Sequence, residues 1–210
     1  MQQIFNILSR ALSVILHPLF MPTYGMSMYM AAMRIRTPEL PALYIQIGII
    51  TTFVLTALIP IILMLILWKR GSISSLHIDN AQERTTPYIY TLICFAFWCY
   101  FVGDVLQMPA VWLIVAIGAT VALLAVTIIN RWWKISAHLT ALGGLLGGVM
   151  SIALYYSVLP TPLIIGMLIV SLLLMYARLY LNAHTPWQVV CGYLLGIVLT
   201  FIPNLVVYHA

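Results

Sequence analysis

A chain of 210 residues that is 64% apolar and only 6% charged cannot build a water-facing surface, because a soluble domain carries about 25% charge. Soluble enzymes, nucleic-acid modules and disordered tails are excluded together, and the net charge of +5 comes from basic residues scattered along the chain rather than from a run. A membrane helix takes about 20 apolar residues, so the predicted class is all-α: a polytopic transmembrane helical bundle of six to seven membrane segments, forming a single integral membrane domain over 1–210.

The first segment, from about Ile4 to Met33, contains Arg10, His17-Pro18 and Pro22, which predicts a broken or re-entrant span. Its start, MQQIFNILSR, has one Arg and no small-residue cleavage site, and reads as a retained span rather than a signal peptide. The second runs from Ala42 to Trp68, with a kink expected at Pro60, since proline removes a helix hydrogen bond. The most polar stretch, Lys69 to Pro87, follows. Segments three and four, Tyr88–Gln107 and Val111–Asn130, are joined at Met108-Pro109. Arg131-Trp132-Trp133-Lys134 mark a membrane interface, where Trp and basic residues anchor helix ends. Segment five spans Ile135 to about Val158, segment six Leu163–Leu181, and segment seven starts near Thr185 and reaches Tyr208. Gly143, Gly144, Gly147 and Gly148 give segment five a flat face for close helix packing. Cys94, Cys99 and Cys191 lie in apolar stretches with no metal or disulfide spacing.

Alternation of the spans puts three polar clusters at one membrane face: the Lys69–Pro87 loop, Arg131 to His138, and Arg178 to Gln188. Ionisable groups at membrane depth are costly and mark functional sites. The clusters hold His77, Arg84, Lys134, Ser136, His138, Arg178, His184 and Gln188, with Asp79 and Glu83 as the nearby acids. Cations and imidazoles suit a phosphate: Arg forks match its oxygens, Lys adds a point charge, and two histidines can divide nucleophile and acid roles. A metal is not expected beside so many cations, and no cofactor is called for. Arg10 and His17 could line the pocket from the first segment, with headgroup snorkelling the preferred reading; Arg131 reads as an interfacial anchor.

These blocks resemble those of the type 2 phosphatidic acid phosphatase superfamily, whose pattern is Lys-x6-Arg-Pro, Pro-Ser-Gly-His and Ser-Arg-x5-His-x3-Asp. The third block stands here as Ala177-Arg178, five residues, His184, three residues and Gln188; the second as Ile135-Ser136-Ala137-His138; the first as His77-x6-Arg84-Thr85. The resemblance covers the phosphatase-like core, about 69–208. It implies His184 as a nucleophile that forms a phosphohistidine, and His138 as the acid protonating the leaving oxygen. It also implies Arg84, Arg178 and Ser136 as phosphate holders. Lys134 supplies the charge that His77 no longer guarantees in the first block. Gln188 replaces the Asp that orients the nucleophile; it accepts a hydrogen bond but carries no charge, so Gln188→Asp is expected to raise turnover about tenfold. Thr185-Pro186-Trp187-Gln188 also reads as a helix-starting capping box, and Ser136 as an N-cap.

The expected function is a membrane phosphatase acting on a lipid phosphate or isoprenyl diphosphate. The alternatives are a degenerate member that binds or moves a phospholipid without hydrolysis, and a membrane subunit with no ligand. The expected partners are the phosphorylated lipid and the surrounding membrane lipids, with no nucleic acid. The expected location is a bacterial inner (cytoplasmic) membrane. Outside the site, Arg10, Lys69, Arg70 and Arg131 on the clustered face against Arg34 and Arg36 point to a cytoplasmic site; the resemblance implies the extracytoplasmic face, which is the placement expected.

Overall fold

In lipid, backbone N–H and C=O groups must be bonded within the segment, so apolar runs of this length form helices. The computed structural model describes residues 2–75 and 82–209. Its helices are α1 (Gln2–Ile15), α2 (Met21–Arg36), α3 (Ala42–Phe53), α4 (Ile59–Lys69), α5 (Thr85–Tyr100), α6 (Ala110–Ile129), α7 (Ala137–Tyr155), α8 (Thr161–Tyr180) and α9 (Pro186–His209). No strand occurs among the described residues. Seven helical stretches among them are long and apolar enough to cross a membrane. The protein is an all-α, multi-pass membrane protein. His77 and Asp79 lie outside the described residues.

The first segment is broken where expected, at His17-Pro18, but its halves differ in kind. Gln3, Asn6, Ser9, Arg10, Ser13 and His17 recur at helical spacing and form one polar stripe. Apart from Gln2, the rest of α1 is apolar, and Ile4, Ile7, Leu8 and Val14 are exposed while Ser9 and Ser13 are buried. Both ends of α1 meet the last turn of α8: Tyr180 Oη donates to Gln2 O at 3.3 Å, and Arg178 Nη1 to Ser13 Oγ at 3.3 Å. A helix of 14 residues rises about 21 Å, so α1 lies across the end of α8 rather than alongside it. The crossing is left to α2, whose 16 residues rise about 24 Å.

Pro60 acts as a local widening. It has no N–H for Thr56 O, and its ring crowds that carbonyl. A π turn over Val54–Leu58 absorbs the conflict, with the Ile59 N–H reaching back to Val54 O. A second π turn, Phe101–Val105, ends α5's span, closed by Leu106 N–H to Phe101 O at 2.9 Å.

The glycine face of α7 meets α9. A Cβ on Gly143 would collide with Tyr193 O, and one on Gly196 with Thr140 O. Thr200 Oγ1 spans the seam, within 3.0 Å of Gly144 O and 2.9 Å of Gly196 O. Gly148 faces α6 instead, where its Cβ would stand 2.8 Å from Val115 Cγ1. The seam fixes the starts of α7 and α9 side by side, and Ser136 N–H bonds Gln188 O at 3.1 Å.

Candidate functional site

Four elements bring the polar clusters together at one end of the bundle. Arg84 precedes α5, His138 opens α7, Arg178 lies in the last turn of α8, and His184 sits between α8 and α9. All four line one cavity of about 330 Å³, joined there by His17 and Tyr88. Arg84 and Tyr88 share a hydrogen bond. The convergence expected from span alternation is therefore present for the described residues.

His184 is 9% exposed. Its Nδ1 lies 3.0 Å from Lys134 O. A carbonyl can only accept, so Nδ1 carries the proton and Nε2 keeps its lone pair. Burial, then the Arg178 guanidinium, pushes its pKa down to about 4, with Arg84 and Lys134 adding to the depression against the Lys134 carbonyl bond. The imidazole is thus neutral at physiological pH, the state a nucleophile needs.

Gln188 stands elsewhere. Its Oε1 accepts from the Thr185 N–H at 3.0 Å, the reciprocal half of a capping box on α9. The orienting partner that the resemblance assigned to Gln188 is the Lys134 main chain. Lys134 contributes to the site through that carbonyl, and its side chain is half-buried. Ser136 occupies the N-cap of α7, yet its side chain makes no cap bond. Its Oγ is fully buried with no hydrogen-bond partner among the described residues. Neither Ser136, Lys134 nor Gln188 lines the cavity, whereas Arg84, Arg178, His138 and His184 do.

Two contributors come from the first segment: His17, for which snorkelling is the preferred expectation over lining the pocket, and Ser13, which sequence reasoning missed. His17 lines the cavity, its ring 5.4 Å from that of His138; snorkelling is not its role. Ser13 O accepts from His138 Nε2 at 3.1 Å, and Ser13 Oγ from Arg178. The signal was the polar stripe of α1, which points Ser13 and His17 the same way.

Glu83 is turned to the loop, taking Ser74 N–H at 2.7 Å and Ser74 Oγ–H at 2.9 Å. No cluster of His, Cys, Asp and Glu able to hold a metal occurs among the described residues. Away from the cationic end the cavity is apolar. It follows α7 from Ala137 to Tyr156, a rise of about 28 Å. Met21, Met28, Met33 and Met64 contribute to its wall, and Tyr29 stacks on Trp112 at 5.0 Å within it. Arg36 closes the far end, its guanidinium 4.8 Å from the Tyr156 ring.

The fold and this cavity define a multi-pass membrane protein whose cavity is lined by arginines and histidines at one end and by apolar side chains along its length. No family model matches the chain, nor does any curated protein or solved structure.

Proposed function

We propose that this protein is a membrane phosphatase of the type 2 phosphatidic acid phosphatase kind, hydrolysing a lipid phosphate or isoprenyl diphosphate through a phosphohistidine. One observation carries the reading: Arg84, Arg178, His138 and His184 gather at one end of a cavity whose remaining length is apolar. The head suits phosphate, since guanidinium forks match its oxygens. The shaft, running about 28 Å beside α7, suits a long single chain.

In this reading His184 Nε2 attacks phosphorus. The P–N bond forms as the bond to the lipid oxygen, or to the bridging oxygen of a diphosphate, breaks. Lys134 O keeps Nδ1–H in place and stabilises the growing imidazolium charge through that hydrogen bond. Arg84 and Arg178 hold the phosphoryl oxygens. His138, protonated beside the bound anion, gives its proton to the leaving oxygen. Water, giving a proton to the now neutral His138, then attacks phosphorus; the P–N bond breaks, its electron pair returns to His184 Nε2 and phosphate leaves. The expected location is a bacterial cytoplasmic membrane with the site extracytoplasmic, which thiol labelling of Ser74→Cys, Trp133→Cys and Asn182→Cys from either side tests.

A second reading, binding without hydrolysis, draws support from His138. Its Nε2–H is spent on Ser13 O, and a neutral carbonyl in place of a carboxylate stabilises an imidazolium less. Phosphate release from a panel of lipid phosphates by the protein in nanodiscs decides between them. Hydrolysis that disappears in His184→Ala, with an acid-labile phosphoenzyme in the wild type, supports the enzyme. Lipid binding without release by the wild type supports the binder.

A further inference from the structure

The end of α1 at the site is a helix C-terminus, which carries partial negative charge. Pro18 has no N–H to offer Val14 O, and the His17 N–H goes to Val14 O instead, at 3.2 Å. Ser13 O thereby loses its ordinary donor four residues on, and receives His138 Nε2 at 3.1 Å. Ser13 Oγ donates to Ser9 O at 2.9 Å and accepts from Arg178 Nη1 at 3.3 Å. One residue thus presents two acceptor oxygens, at the negative end of a helix, to an imidazole N–H and a guanidinium N–H. A phosphate offers the same two things: paired acceptor oxygens and negative charge.

We propose that α1 is a lid on the anion site, with Ser13 holding His138 and Arg178 while the site is empty and a phosphate group displacing it. This rests on the phosphate reading above and adds its regulation. The hinge is His17-Pro18, where the helix is interrupted. The movement gives up packing of α1 on α8 and of Leu12 on the core, while its exposed face, Ile4, Ile7, Leu8 and Val14, stays in the bilayer interface in both positions. Amphipathic helices with one clean apolar face lie in that plane. Displacement turns two N–H groups over to the phosphate, and it explains how a residue needed as an acid is found bonded to the main chain.

The test uses the full-length protein in nanodiscs with orthovanadate as the probe. Amide hydrogen exchange over residues 9–17 should quicken at saturating vanadate. Ser13→Ala should bind vanadate more tightly, by about fivefold, the effect of removing one competing hydrogen bond. Slower exchange together with weaker binding by Ser13→Ala would make Ser13 a phosphate ligand and overturn the lid. Unchanged exchange with unchanged affinity would overturn it too. The phosphate reading fails separately, and takes the lid with it, if vanadate does not bind the wild type or binds Arg178→Ala equally well. Should Ser13→Ala not fold, exchange in the wild type decides alone.

Discussion

The α7–α9 seam and α1 stand on either side of the same site and are built in opposite ways. The seam is a backbone-to-backbone contact in which Gly143 and Gly196 leave no room for a Cβ, and it aligns the starts of the helices that carry His138 and flank His184. α1 is tied to its neighbours by hydrogen bonds from Tyr24, His138, Arg178 and Tyr180, by the Phe5–Tyr180 ring contact and by Leu12 on the core, and it buries serines while exposing isoleucines. Groups that need fixed geometry ride on the element that cannot move. In the proposed lid, Ser13, which stands where a phosphate would go, rides on the element that moves. Glycine sets the first by close approach, and the polar stripe sets the second.

Five substitutions and one titration sharpen this contrast. His184→Ala should lower phosphate release by about a thousandfold or more, measured with a lipid phosphate in nanodiscs; a smaller loss would remove the phosphohistidine. Gly196→Val and Gly143→Val should each lower stability by about 1–3 kcal/mol or more, read as a fall in thermal midpoint; tolerance at either would mean that the seam is not the rigid partner. Acidification should destabilise the fold through His184. Its folded pKa of about 4 lies below the ordinary 6.5, so the unfolded chain takes up the proton first as pH falls between those values. That contribution to stability is full above about pH 6.5 and falls as pH drops towards about 4, and His184→Asn should flatten the slope. The acid limb of turnover should likewise sit near pH 4 rather than 6.5. Gln188→Asp should change turnover by less than about twofold, a barrier change of about 0.4 kcal/mol, since its side chain caps α9; a tenfold gain would put a carboxylate on the imidazole after all.

The helices were legible because apolar run length alone defines a span. Ala42–Trp68 was expected and α3, a π turn and α4 cover Ala42–Lys69; Leu163–Leu181 was expected and α8 is Thr161–Tyr180. Spacing also located Arg178, His138 and His184, because alternation of spans puts their helix ends on one face. Three things were not legible. Pro60 announces a disturbed helix, but whether the chain bends or widens depends on what packs beside it. Gln188 satisfies both a capping box and a motif position, and only its hydrogen bond separates them. The course of α1 across α8 depends on partners 165 and more residues away in sequence, such as Ser13 and Arg178, which no local pattern encodes. Yet its polar stripe was in plain view, and a helical-wheel reading of residues 2–17 picks out Ser13 and His17 together.

The methionines of the cavity wall make the shaft sensitive to redox conditions while the head is not. Thioethers are flexible and polarisable, which would suit a wall that fits the hydrocarbon chain of the proposed substrate. Oxidation to the sulfoxide makes the same side chains polar. Met21, Met28, Met33 and Met64 would then repel a tail, while the guanidinium and imidazole groups at the head stay chemically unchanged. Peroxide-treated protein should lose turnover of long-chain phosphates while keeping that of a short water-soluble phosphate ester, and methionine sulfoxide reductase should restore the difference. An oxidised membrane would thus silence the protein by way of its greasy end.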